Sequence, residues 1–377
     1  MKPITPHGTG PDREPNIALW LPRPGGRLHV GPAPYTAPGP GEVVVRVRAV
    51  AMNPVDALHG LLYRVILPWL AFPAVIGNDV AGEIAEVGDG VTRLRPGDRV
   101  LGHAVGVERS RNRPAEGAFQ RYVVLMEHLV SPVPDTLPFE HAAVLPLALS
   151  TAATGMFQRD HLDLPLPTTT GTASGAEAGG ARPTVIVWGG STSVGSNAVQ
   201  LACHAGYRVL ATASPRNADY LRSLGAAEVI DRHSPAVVTD VLDRIGASPL
   251  AGSLAIGAGS LRPAIAVTTR ARHDSGPSDG RYDGRRVASV QPGPLTTWRA
   301  RRARRLGVRV STVWGSSLKD NEVGPAVYTE FLPAALAAGS YRAAPPATVT
   351  GHGLDHIPPA LHRLRRGVSA TKLVVTL

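Results

Sequence analysis

The sequence predicts an α/β protein in two parts, a β-rich portion followed by a doubly wound parallel sheet. Two observations predict it. Between residues 185 and 202 an apolar run, Val185 to Trp188, enters a small-residue turn, Gly189 to Gly195, and leaves as a helix with Val199, Leu201 and Ala202 as its apolar positions. Ahead of that turn, short runs of β-formers are punctuated by Gly, Pro and Asp, with no sustained helical period until residue 140.

The elements follow in order. Strands are expected over 42–50, 79–87, 99–102 and 118–125, set apart by turns such as Gly39-Pro40-Gly41 and Arg95-Pro96-Gly97-Asp98, and together they read as a barrel-like domain. Residues 140–157 read as helices leading into the second part. The stretch 165–183, dominated by Thr, Gly and Ala, reads as a surface loop, and 270–286 has the same character. After the glycine turn, a second strand over 207–213, a helix over 218–224 and a third strand over 228–231 keep the β/α alternation. Residues 360–366 are helical in character and 372–377 form a terminal strand. No internal repeat is visible.

Composition narrows the classes. The chain has 377 residues, enough for two cores, and no apolar run nears the roughly 20 residues of a membrane span. Residues 1–15 are polar and rich in Pro and Gly, without the apolar core of an export signal. One cysteine, Cys203, leaves no intramolecular disulfide or cysteine-rich zinc site, and a reduced, cytoplasmic setting is expected, with Cys203 packed on its helix. The formal charge is +10, almost all of it arginine, densest over 299–305. No aromatic residues interleave with that run and no nucleic-acid motif is present, so it reads as a solvated helix, and an anionic substrate or acidic carrier is the better use of the charge.

A strand, a tight glycine turn and a helix open a dinucleotide-binding unit. Gly189 and Gly190 let the backbone turn sharply and approach a pyrophosphate, and the helix start offers unpaired N–H groups and a positive dipole end. Ser191, Thr192, Ser193 and Val194 line the turn, and Gly195 lets the helix pack against its strand. About 20 residues after the turn, where an acid would meet the ribose 2′-hydroxyl of NAD, the chain has Ser214-Pro215-Arg216-Asn217. A hydroxyl and a guanidinium suit a 2′-phosphate and a carboxylate would repel it, which favours NADPH. Tyr220, on the next helix, is a weaker candidate for the adenosine end.

Seven segments extend the pattern over nearly the whole chain. They include Ala51-Met-Asn-Pro-Val-Asp56, Ile76-Gly-Asn-Asp through Gly88, Leu94-Arg-Pro-Gly-Asp-Arg-Val100, 117–122, 145–157, the glycine turn, and Gly367-Val-Ser-Ala-Thr-Lys372 through Val375. In this order they resemble the medium-chain dehydrogenase/reductase superfamily. The resemblance implies an α/β architecture made of a GroES-like β-barrel domain (1–152 and 330–377) and a Rossmann doubly wound parallel-sheet domain (153–329) that binds NADPH. Zinc-dependent members carry Cys where this chain has Asn53, and Gly-His-Glu where it has Gly77-Asn78-Asp79, so no metal is expected; His352 and His356 lie among Gly and Pro and read as a surface loop.

The same resemblance points to the zinc-independent branch of quinone oxidoreductases and trans-acting enoyl reductases of secondary metabolism. The implied reaction is NADPH-dependent reduction of a carbon–carbon double bond conjugated to a carbonyl. A quinone oxidoreductase, or a cofactor-binding protein with redox-neutral or lost chemistry, stand as alternatives. Asn53 is the first candidate, either as a donor to a substrate oxygen or as a turn residue fixed by Pro54. Asp56 reads as a relay or a cap. The resemblance implies a Lys where this chain has Leu58, and His59 and Tyr63 are the nearby substitutes for a proton donor, or else packing residues. Thr151 either meets the nicotinamide carboxamide or bonds its own helix, and Lys372 is expected to approach the cofactor. Trp69, Leu70 and Phe72 fall in a loop expected to shape the acceptor site. A small-molecule or carrier-bound acyl substrate is the expected partner, with neither nucleic acid nor membrane, and the resemblance leaves both a homodimer and a monomer open.

Overall fold

The computed structural model describes residues 14–58, 60, 62–169, 182–273, 284–290 and 294–377. Its strands in chain order are β1 (Ile17–Leu21), β2 (His29–Pro32), β3 (Glu42–Ala51), β4 (Ala74–Val75), β5 (Asp79–Val87), β6 (Arg99–His103), β7 (Tyr122–Met126) and β8 (Val130–Pro132). Then come β9 (Thr184–Trp188), β10 (Arg208–Ala213), β11 (Glu228–Asp231), β12 (Leu250–Ala255), β13 (Arg286–Ser289) and β14 (Arg309–Thr312), followed by β15 (Ala347–His352) and β16 (Lys372–Thr376). The chain divides into two compact units: Met1–Pro146 with Ala347–Val368 and Lys372–Leu377, and Leu147–Pro346 with Ser369–Thr371.

The first unit is built on β3. Its alternation of Val43, Val45 and Val47 with Arg46 and Arg48 buries the valines and turns the arginines outward. β3 pairs antiparallel with β5, β7 and β16, and β5 pairs with β6, giving the order β15-β16-β3-β5-β6-β8, with β7 alongside β3. Two register shifts along β3/β5 coil the sheet. A smaller sheet, β2-β1-β4, completes the unit. The strand expected over 118–125 begins at Tyr122. Residues 118–120 bond instead to 76–77 and 18–19, because Gly77 lies against the Phe119 ring, where a Cβ would come within 2.5 Å of it.

The second unit is a six-stranded parallel sheet in the order β11-β10-β9-β12-β13-β14. β9, the fully buried Thr-Val-Ile-Val-Trp run, is central, and the topology reverses between β9 and β12. Helices Ser193–His204, Val237–Ile245 and Leu261–Arg270 lie between successive strands, and Val241, Ile245, Leu261, Ala264 and Val267 join Ile186, Leu210 and Leu250 in the core. Residues 140–157 form the expected helices, Phe139–Ala142 and Pro146–Phe157, which are separate because Pro146 has no N–H to continue a ladder.

The return to the first unit comes at Ala347, later than residue 330. Helix Leu332–Ala337 belongs to the second unit: Phe331 meets His204 and Tyr341 edge-on, and Tyr341 donates to Asn197 Oδ1 at 2.7 Å. Helix Ile357–Arg365 opens on Pro358-Pro359, positions where a missing N–H costs nothing, and covers 360–365 of the expected helix. Most of 165–183 and of 270–286 lies outside the described residues. No helix among the described residues is long and apolar enough to cross a membrane.

Candidate active site

The glycine turn sits at the sheet's switch point. Gly189 follows β9 with φ +82°, and a Cβ there would stand 2.7 Å from the Ile256 carbonyl at the end of β12. A Cβ on Gly195 would collide with the Gly189 and Gly190 carbonyls, so the helix and the strand end approach only as glycine backbone. Thr192 caps the helix: its hydroxyl accepts from the Gly195 N–H at 3.0 Å and donates to the Gly189 carbonyl at 2.8 Å. Ser191 and Ser193 are partly exposed at the rim, and the Ser193 and Val194 amides occupy the helix start, where an anion would be received. A cradle closed to any side chain and open to an anion fits a dinucleotide pyrophosphate.

At the end of β10, Ser214 precedes the short turn Pro215–Asn217 and Arg216 is exposed. Arg232, the residue after β11, donates from Nε to Ser214 Oγ at 3.3 Å. Its position directly after the neighbouring strand is what brings it to Ser214, and no motif in the sequence marks it. Tyr220 is held by its own unit, its hydroxyl donating to Ser196 Oγ at 2.8 Å, and burial pushes the phenol up to about 12. Thr151 bonds its own helix, donating to the Leu147 carbonyl at 2.7 Å, with Gly315 packed against it. Cys203 packs with Sγ 3.2 Å from the Gly225 carbonyl, and burial pushes its thiol up to about 11.

In the first unit, the ends of four strands converge. The register sets Ala51 of β3 opposite Asp79 of β5, Asp79 opposite His103 of β6, and Val374 of β16 opposite Ala51. Asn53 and Lys372 are thereby brought together from opposite ends of the chain. Lys372 Nζ lies 2.7 Å from Asp79 Oδ2 and 2.7 Å from Asn53 Oδ1, and all three residues are buried. Lys372 thus reaches into a buried polar cluster of its own unit.

Asn53 is the hub. Its amide nitrogen donates to Asp79 Oδ2 at 2.8 Å and to Asp56 Oδ2 at 3.2 Å, and its backbone N–H donates to the same Asp56 oxygen at 2.8 Å. Both amide hydrogens are engaged, so of the two roles open to Asn53 the geometry favours the fixed turn residue over a donor to substrate. Asp56 N–H and Ala57 N–H close that turn on the carbonyls of Asn53 and Pro54. Burial, and then the negative Asp79 nearby, raise the Asp56 carboxyl from 3.8 to about 7. Burial lowers His103 from 6.5 to about 4, against the pull of Asp79.

Tyr63 is buried, with its hydroxyl 3.5 Å from the Asp56 carbonyl and its ring edge-on to Phe72; burial, and then the Asp56 charge, raise its phenol far above 10. His59 lies outside the described residues. Of the loop at 69–72, Trp69 Nε1 donates to the Val107 carbonyl at 2.9 Å, and Asn112 clamps both the Trp69 carbonyl and the Ala71 N–H at 3.0 Å. Asn78 is a further residue of interest. It is buried, donates to the Ala104 carbonyl at 3.0 Å, and its Oδ1 has no hydrogen-bond partner among the described residues. Its signal in the sequence was its position beside Asp79. Zinc does not suit this donor set: the two asparagines are amides, and no group of three or more His, Cys, Asp or Glu among the described residues is placed to hold an ion.

The alcohol dehydrogenase GroES-like domain family matches residues 39–135. A dehydrogenase from Aspergillus niger, azaJ, is 42% identical over 367 residues, covering 96% of this chain and 99% of its own length. A trans-enoyl reductase from Aspergillus japonicus, himH, is 35% identical, covering 96% of this chain and 97% of its own. Among solved structures, the CurK enoyl reductase superposes with a TM-score of 0.71 at 20% identity, covering 96% of this chain and 99% of that one. The chain belongs to the medium-chain dehydrogenase/reductase superfamily, whose members bind nicotinamide cofactors, and it is an oxidoreductase of that group.

Proposed function

We propose that this protein reduces a carbon–carbon double bond conjugated to a carbonyl, with NADPH as the reductant and no zinc. Its near-full-length similarity to a trans-enoyl reductase carries the reaction class. The cofactor preference rests on Ser214, Arg216 and Arg232 at the ends of β10 and β11: residues 214–217, directly after β10, include no carboxylate, and the Asp231 carboxylate at the end of β11 accepts from the His233 N–H. The bound dihydronicotinamide supplies a hydride to the β-carbon of the acceptor.

The chain's own residues then have two tasks. Thr192 and the glycines hold the helix start open to the pyrophosphate. Asp56 keeps a proton near neutrality within the buried cluster, and that proton, replaced from water, balances the hydride when the α-carbon is protonated. Asn53 and Lys372 fix the Asp56 carboxyl through a shared hydrogen-bond chain. A small-molecule or carrier-bound acyl substrate in the cytoplasm is consistent with this chemistry and with a single reduced cysteine.

The test is oxidation of NADPH and NADH in the presence of small enoyl thioesters and, in parallel, quinones. Thioester turnover with NADPH, reduced in Arg216→Ala and Arg232→Ala while NADH turnover persists, supports the reading. Turnover of quinones alone, or cofactor binding without turnover of any acceptor, refutes it.

A further inference from the structure

The arginine run has not been used by the site. From residue 284 to 319 the sequence contains eight arginines and one lysine but no Asp or Glu. Most of that charge sits on helix Pro294–Arg304 and the turn that follows it to β14. Arg301, Arg302, Arg304 and Arg305 are exposed, and none of them pairs with a carboxylate among the described residues. Among the described side chains of this helix, Thr296 and Ala303 are buried.

Two large apolar side chains of the same stretch are exposed. Trp298 is 58% exposed and Leu306 49% exposed, and the Arg302 guanidinium lies 5.9 Å from the Trp298 ring centroid. An exposed tryptophan beside an arginine, on a helix rich in further exposed arginines, has the composition of a binding hot spot rather than of an ordinary solvated helix face. Repulsion among neighbouring arginines is a cost the fold does not need, and an acidic partner would convert it into attraction.

We propose that the exposed face of helix Pro294–Arg304, with the turn to β14, docks an acidic protein segment that seats an apolar side chain against Trp298. Charge complementarity selects the occupant. A second copy of this chain would bring two arginine clusters face to face, with no acid in the segment to answer them. A nucleic acid would find one aromatic platform on a helix about 16 Å long, against the repeated stacking sites that single strands use.

The test uses the full chain and a fluorescein-labelled peptide of about 20 residues that alternates acidic with leucine residues. Polyglutamate and a duplex DNA of similar charge serve as comparison probes. The expected result is saturable binding of the peptide that weakens at least tenfold between about 50 and 200 mM salt. The charge reversal R301E/R302E/R305E should abolish it, and Trp298→Ala should weaken it at least fivefold while binding of polyglutamate changes little. Both variants should keep the parent melting temperature.

Equal or tighter binding of DNA than of the peptide overturns the proposal in favour of a nucleic-acid surface. A dimer that the charge reversal dissociates overturns it in favour of a second copy. Peptide binding indifferent to Trp298→Ala reduces the patch to unspecific charge and also overturns it, as does no binding of any probe.

Discussion

Lys372 Nζ lies 2.7 Å from Asp79 Oδ2 in the buried interior of the first unit, so the last strand of the chain is pinned to the start of β5 by an ion pair. Removing one partner leaves the other charged and buried. Lys372→Met or Asp79→Leu should each cost about 3–5 kcal/mol in denaturant unfolding, and the double variant should recover much of the loss. Additive losses would show that the two residues do not act as a pair.

Asp56 makes stability depend on pH in a predictable direction. Its carboxyl is raised from 3.8 to about 7, so the folded state binds the proton more tightly than the unfolded state. Its contribution is fully present below about pH 3.8 and is lost as pH rises toward 7. Asp56→Asn should therefore flatten the decline in melting temperature over that window. An unchanged pH profile contradicts the assignment.

His103 acts in the opposite sense. Lowered from 6.5 to about 4, it is neutral when folded, and its contribution is present above about 6.5 and lost as pH falls toward 4. His103→Gln should protect the protein on mild acidification, whereas Asp56→Asn should not. Comparing the two variants over the same pH series separates the groups.

The glycine cradle predicts a sharp steric effect. Gly195→Ala drives a methyl group into the Gly189 and Gly190 carbonyls and should weaken NADPH binding at least tenfold by calorimetry. Thr192→Ala removes the cap and should cost about 1 kcal/mol of stability. If Gly195→Ala binds NADPH normally, the pyrophosphate lies elsewhere.

Much of this was legible in the sequence because it is local. The strand, turn and helix from Thr184 to His204 follow from glycine placement and apolar period, and both ends of β5 match the reading of 79–87. What escaped is long-range. The Asn53–Lys372 contact joins residues 319 apart, and no pattern in either segment announces that the strand register brings them together. Of the two roles open to Thr151 the fold shows the bond within its own helix, to Leu147, and the Tyr220 hydroxyl, a candidate for the adenosine end, is bonded to Ser196 across 24 residues. Arg232 carries no mark in the sequence, because the end of the third strand lies beside Ser214 only in the parallel sheet.

The central claim is hydride delivery to a conjugated alkene, and the most direct measurement follows the hydride itself. Crotonyl thioester would be reduced with NADPH carrying deuterium at both C4 positions and the product analysed by NMR. The account predicts one deuterium at the β-carbon and a solvent proton at the α-carbon. A product without deuterium, or deuterium anywhere but the β-carbon, would contradict it.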